Sequence, residues 1–186
     1  MMKHAKILWI TRTALFIALL IVLQAVTAAF GNTIVTGSIV NLMLILSVMT
    51  CGIASGATVA VISPAAAKCF GIGPLWSLIP FIILGNLTLI LLWHFIGNRC
   101  FGGGLAAKIT AALVAAASKF SVLYFGIVQL AIPLFLNLPD PQANLIGNMF
   151  SIPQLFTALI GGGAAILILP VLKRAVSADR HDDASD

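Results

Sequence analysis

The feature that most narrows what this chain can fold into is a series of apolar runs, spread from Trp9 to Leu172, that contain neither aspartate nor glutamate. A soluble domain devotes roughly a quarter of its residues to charge. Here 8% are charged and 61% are hydrophobic, with a mean hydropathy of +1.14. That much apolar surface cannot all be hidden from water, so the composition predicts lipid as the solvent. A hydrocarbon core about 30 Å thick takes roughly 17 to 25 helical residues per crossing. Six runs meet or approach that length: Trp9 to Phe30, Ile34 to Met49, Ile53 to Lys68, Leu75 to Ile96, Leu105 to Leu136, and Pro153 to Leu172. Gly, Pro and Asn punctuate the gaps, at Gly31-Asn32, Cys51-Gly52, Gly71-Ile72-Gly73-Pro74, Gly97 to Gly104, and Asn137 to Ser151.

The expected fold is therefore an all-α integral membrane protein. It is a bundle of six transmembrane helices over residues 1–174, with a charged tail at 175–186 expected to be disordered. The second and third runs are short, and merging them into one bent element would leave five spans. Charge argues for six. With the N-terminus inside, Lys3, Lys6, Arg12, Arg99, Lys108, Lys173, Arg174 and Arg180 all fall on the cytoplasmic side. The outer loops then hold Asp140, with Lys68 at their margin, and both termini are cytoplasmic. Ala28 and Ala29 resemble a signal-cleavage site, but the apolar run before them is longer than a signal core. A multi-pass protein of the cell membrane is expected.

The same composition excludes several chemistries. Ten Lys and Arg face five acids, yet the cations fall between apolar runs rather than on one solvated face, which argues against nucleic acid. Cys51, Cys69 and Cys100 lack metal-ligand spacing and read as small core residues, so no metal or cofactor is expected. Four of the five acids lie in the tail and the other is Asp140, in a loop. A carboxylate proton relay, an intramembrane aspartyl protease and a metal-dependent lipid enzyme are all disfavoured. Ser63, Ser118 and Ser121 could in principle meet His94, Lys68 or Lys119 as bases, but no G-x-S-x-G surrounds them and helix packing is their simpler role. The chain has no P-loop either, so any uphill transport draws its energy from a partner.

Small residues at helical spacing mark faces that another helix could approach. Ala14 and Ala18 are four apart in the first run, Ala25 and Ala29 repeat the spacing, and Gly52-x-x-x-Gly56 continues to Ala60. Packing inside the bundle and docking against another protein both account for them. The opening Thr11-Arg12-Thr13-Ala14-Leu15-Phe16-Ile17-Ala18, the stretch from Gly37-Ser38-Ile39-Val40-Asn41 through Gly52-Ile53-Ala54-Ser55-Gly56-Ala57, and Leu84-Gly85-Asn86 carry a family likeness. In a six-span chain of 186 residues without its own ATPase, they resemble the substrate-binding S component of an energy-coupling factor (ECF) transporter. The resemblance implies that Ala14 and Ala18 face a transmembrane coupling subunit. It further implies that two cytoplasmic ATPases supply the energy and that the cargo is a vitamin-like solute. The loop from Gly31 to Val35 is shorter than the lid the family often uses.

Polar residues inside the runs point to where a solute could sit. Lys119 is a cation within an apolar helix, and no intramembrane acid is available to pair with it. Either a bound anion completes it, or it snorkels to the inner interface. Lys68 ends the third run after Ser63-Pro64, as an interfacial anchor or as a lure for an anionic solute. Pro64 removes a backbone hydrogen bond and frees a carbonyl near Ala60, a break that suits a cavity wall or a simple kink. Asn41 and Asn86 need partners in hydrocarbon, from each other or from a ligand. Gln129 lies toward the outer end of the fifth run, Gly126 shares the face of Lys119 and leaves room for a solute, and Gln154 opens the last helix after Pro153. Trp9 and Trp76 suit the aromatic belts, and Trp93 and His94 the inner surface. The candidate substrate site is thus Asn41, Lys68, Asn86, Lys119, Gln129 and Gln154. The alternatives are a stand-alone channel or facilitator and a membrane assembly protein with no solute.

Overall fold

A computed structural model describes residues 2–73, 75–99 and 103–182, with side chains for 6–73, 75–98 and 103–172. The side chains of Lys3, Arg99, Lys173, Arg174 and Arg180, all of Cys100, and the charged side chains of the tail lie outside that description. The described residues form helices α1 (Met2–Ala29), α2 (Thr33–Cys51), α3 (Ile53–Cys69) and α4 (Ile79–Arg99), the last entered through a 3₁₀ turn at Trp76–Leu78. Helix α5 (Leu105–Leu123) runs on as a π-helix (Tyr124–Ala131) and one more turn (Ile132–Leu134). Helices α6 (Asp140–Met149) and α7 (Ile152–Asp182) complete the chain. Among the described residues five segments are long and apolar enough to cross a membrane: Lys6–Ala29, Thr33–Cys51, Trp76–Asn98, Leu105–Leu134 and Asp140–Leu172. The segment Ile53–Cys69 is apolar but shorter.

Two sharp corners set the order of the first three helices. Gly31 takes φ 67°, a conformation that a side chain disfavours, and Asn32 then caps α2 by accepting from the N–H groups of Ile34 and Val35 at 3.1 and 3.2 Å. Gly52 alone separates α2 from α3, at φ 88°. Its N–H donates to the Val48 carbonyl at 3.1 Å, and its carbonyl accepts from Gly56 at 3.0 Å. Helix α3 then folds back so closely that a Cβ on Gly56 would stand 2.7 Å from the Val48 Cβ. The Gly52-to-Gly56 motif therefore packs inside the bundle. Helix α3 continues through Pro64 without interruption.

Helix α2 occupies the middle, packed against α1, α3, α4 and α7, while α5 lies between α4 and α7. The main core joins Leu44, Ile45 and Val48 to Leu89, Ile90 and Trp93, and to a run of alanines on α5 that includes Ala111, Ala115 and Ala116. Those alanines let α5 approach its neighbours closely, which is how helices associate where lipid supplies no hydrophobic drive. Helix α1 lies at the periphery: among its described side chains only Thr13, Leu20 and Thr27, seven residues apart, are buried. The Thr13 and Ser55 hydroxyls, 2.8 Å apart, share a buried hydrogen bond between α1 and α3. Large apolar side chains such as Leu15, Leu113, Leu167 and Val171 cover the outside, as a lipid-facing belt requires.

Two local expectations change. The separator from Asn137 to Ser151 contains α6, whose Ile146 joins a second core with Leu78, Leu123, Ile127 and Phe150. Its amphipathic pattern is hidden from a search for long apolar runs. The end of α5 widens into a π-helix just before Pro133, which has no N–H to return to Gln129 and so relaxes the α-helical ladder there.

Candidate functional site

Lys119 lies on α5 with 3% of its surface exposed, so it does not snorkel. Its ammonium donates to Asn41 Oδ1 on α2 at 2.5 Å and to Asn86 Oδ1 on α4 at 2.8 Å. Asn41 Nδ2 in turn donates to Thr157 Oγ1 on α7 at 3.3 Å, and the Thr157 hydroxyl donates to the Gln154 carbonyl at 3.1 Å. Four helices thus meet through one lysine and two carboxamides. The asparagines satisfy Lys119 rather than each other.

Close backbone approach makes this meeting possible. A Cβ on Gly161 of α7 would stand 2.7 Å from the Ser38 carbonyl oxygen and 2.8 Å from the Asn41 Cβ, both on α2. Any larger residue would push Thr157 and Asn41 apart. Gly85 on α4 does the same for α5, since a Cβ there would lie 2.9 Å from Leu123 Cγ. Gly37 makes room for Thr157, whose Cγ2 lies 2.9 Å from the place of the missing Cβ.

Above this cluster lies a cavity of about 280 Å³, near the small end of the range for small-molecule sites. Lys119, Asn41, Asn86, Thr157 and Gln154 stand in its wall with Gln24 of α1. The two corners Gly31-Asn32 and Ile72-Gly73, with Met149 and Phe150 at the end of α6, also line it. A side lobe of about 80 Å³ adjoins it, lined by Ser63, Pro64, Ala67 and Lys68 of α3. Gln24, Val40, Ile72, Gly73, Ile82 and Asn86 border both spaces. Among the described residues neither wall contains Asp or Glu.

The expected residues divide accordingly. Asn41, Asn86, Lys119 and Gln154 converge on the main cavity, and Gln154 Nε2 also donates to the Met149 carbonyl at 3.1 Å. Lys68 borders the side lobe, its Nζ 3.5 Å from the Gly73 carbonyl oxygen. Gln129 stands apart, exposed, donating to the Tyr124 hydroxyl at 2.9 Å. The room expected beside Gly126 is filled by Phe81, whose Cδ1 lies 2.9 Å from where a Cβ would be. Trp93 is fully buried in the core rather than placed at a surface. Ala14 and Ala18 are exposed, with Ala25 and Ala29 along the same stripe. Sequence reasoning passed over Gln24 and Thr157. Gln24 was findable as a carboxamide within an apolar run, whereas a threonine gives no such signal.

Two polar atoms in the shared wall are buried without a partner: Gln24 Oε1, an acceptor, and Asn86 Nδ2, a donor. Each would cost roughly 1–3 kcal/mol if left so, and a bound solute would satisfy them. Among the described residues no group of three or more His, Cys, Asp or Glu is placed to hold a metal. Comparison with family models, with curated proteins and with solved structures finds no match.

Proposed function

We propose that this chain is the substrate-binding S component of an ECF-type importer for a vitamin or similar micronutrient. It crosses the cell membrane six times, α3 included, with both termini in the cytoplasm. The observation that carries the reading is the cavity around Lys119, at the end of the bundle away from the N-terminal end of α1. In this topology it opens outward, where a scavenged solute arrives.

Other features support dependence on partners. The sequence has no nucleotide-binding loop and the cavity wall has no acid for ion coupling. Beneath the cavity, Leu89, Ile90, Trp93 and Ala115 are completely buried in a packed core, which suits a closed-ended binder better than an open channel. The exposed Ala14 and Ala18 lie well round α1 from the buried Thr13-Leu20-Thr27 stripe, leaving a smooth face for a transmembrane coupling subunit. Two cytoplasmic ATPases would then drive release of the cargo inside.

Native mass spectrometry of the gently extracted chain, paired with reconstitution, tests this. An S component carries a solute at one-to-one stoichiometry and moves none across liposomes until the coupling subunit and ATPases are added. Sustained flux by the chain alone would replace this reading with the facilitator. A solute-free chain whose melting no ligand shifts would replace it with the assembly protein.

A further inference from the structure

We propose that the cargo is a small monocarboxylate with a slender second arm that ends in a hydrogen-bond donor, an assignment that rests on the binding-subunit reading above. The two lobes contain Lys119 and, at their rim, Lys68, and no acid. Both described partners of Lys119 are neutral carboxamides, so nothing in the wall cancels a positive charge on it. In a low-dielectric wall an uncancelled charge is expensive, and an anion is what removes it. A monoanion leaves the deep site neutral. A phosphate monoester, at nearly two negative charges, would exceed the single lysine of the deep site, since Lys68 stands in the side lobe with its Nζ turned to the Gly73 carbonyl.

Donor directions agree with the charge. An ammonium has three N–H groups, and Lys119 spends two on the asparagines. Because both carboxamides turn oxygen toward Lys119, their Nδ2 groups are directed away from it. Asn86 Nδ2 has no partner, and Asn41 Nδ2 uses one of its two hydrogens on Thr157. The cluster therefore offers donors and lacks free acceptors, the signature of an oxyanion site.

The side lobe supplies the rest. Ser63 is 2% exposed and lines the lobe, and its hydroxyl makes no hydrogen bond among the described residues. Gln24 Oε1, an unpartnered acceptor, borders the passage between the lobes. A hydroxyl or amide N–H on the cargo satisfies Gln24, and Ser63 can donate or accept beside it. At about 80 Å³ the lobe holds a short arm and excludes an aromatic ring system.

The test offers the detergent-purified chain a defined library with equal numbers of four classes. These are monocarboxylates with a hydroxyl or amide arm, their primary amides, phosphate monoesters, and primary amines. Retained compounds are read by native mass spectrometry and then titrated by thermal shift. Selective retention of the carboxylates is expected, with at least about tenfold preference over the matched amides. Lys119→Met should erase that preference while the variant still melts cooperatively. Ser63→Leu, which fills the side lobe and leaves the cation in place, should weaken armed acids about tenfold and spare short unarmed ones. Equal retention of acids and amides, or retention of phosphates or amines, overturns the carboxylate assignment and leaves a binding subunit of another specificity. An unchanged preference in Ser63→Leu overturns the arm. Retention of nothing refutes the binding-subunit reading and this assignment with it.

Discussion

Asn41→Leu should destabilise the bundle more than Lys119→Met, although the second substitution removes the more conspicuous residue. Asn41 accepts a charge-assisted bond from Lys119 and donates a long neutral one to Thr157. Losing the first costs roughly 1.5–3 kcal/mol and the second about 0.5–1 kcal/mol. Lys119 stays behind, 3% exposed, with Asn86 as its one remaining described partner. Together the loss is about 2–4 kcal/mol. Lys119→Met forfeits two charge-assisted bonds, but it also relieves the burial of an uncancelled cation, a penalty of several kcal/mol, so its net effect should fall within about 1 kcal/mol of zero. In the Lys119→Met background, Asn41→Leu then loses only its neutral bond. A double-mutant cycle should give a coupling of roughly 1.5–3 kcal/mol. Reversible unfolding by sodium dodecyl sulfate in mixed micelles, followed by tryptophan fluorescence, measures all four states. Additive effects, with coupling below about 0.5 kcal/mol, would refute the idea that Lys119 is held in its charged form by the two carboxamides.

Three other outcomes follow from the packing. Gly161→Ala should cost about 2 kcal/mol or more and weaken solute retention, since its Cβ would meet the Ser38 carbonyl oxygen at 2.7 Å. Gly163→Ala, where nothing lies within 4 Å, should be neutral or stabilising by up to about 1 kcal/mol, and the same unfolding assay compares the pair. Ala14→Leu and Ala18→Leu should leave unfolding within about 0.5 kcal/mol and solute retention unchanged, because both sites are exposed, while abolishing co-purification with the coupling subunit. Equal damage to retention would show that these alanines serve the bundle itself. Ser55→Ala should cost about 1 kcal/mol by removing the hydroxyl paired with Thr13, and should raise hydrogen exchange in α1 more than in α2.

The long helices, and the need of Lys119, Asn41 and Asn86 for partners, were legible because hydrocarbon makes each polar side chain an exception. The partners themselves were not legible. That Asn41 and Asn86 both turn to Lys119 depends on how α2, α4 and α5 cross, and the crossings are set by Gly161, Gly85 and the alanines of α5. Small residues announce closeness without saying to what. Gly126 shows the difference, for the open space beside it belongs to Phe81. Gln129 was misleading for a related reason: with the π-helix at Tyr124–Ala131, α-helical spacing no longer predicts which side of α5 it occupies. Helix α6 escaped notice because ten residues beginning Asp-Pro-Gln read as a loop until Ile146 finds its apolar neighbours.

The corner at Gly52 has a mechanical consequence. With one residue between them and both its backbone groups engaged, α2 and α3 have no slack and form a single stiff bracket. One arm bears Asn41 and the other bears Ser63, so the bracket sets the spacing of the two compartments they border. A solute that reached both compartments would have to match the span that the bracket sets.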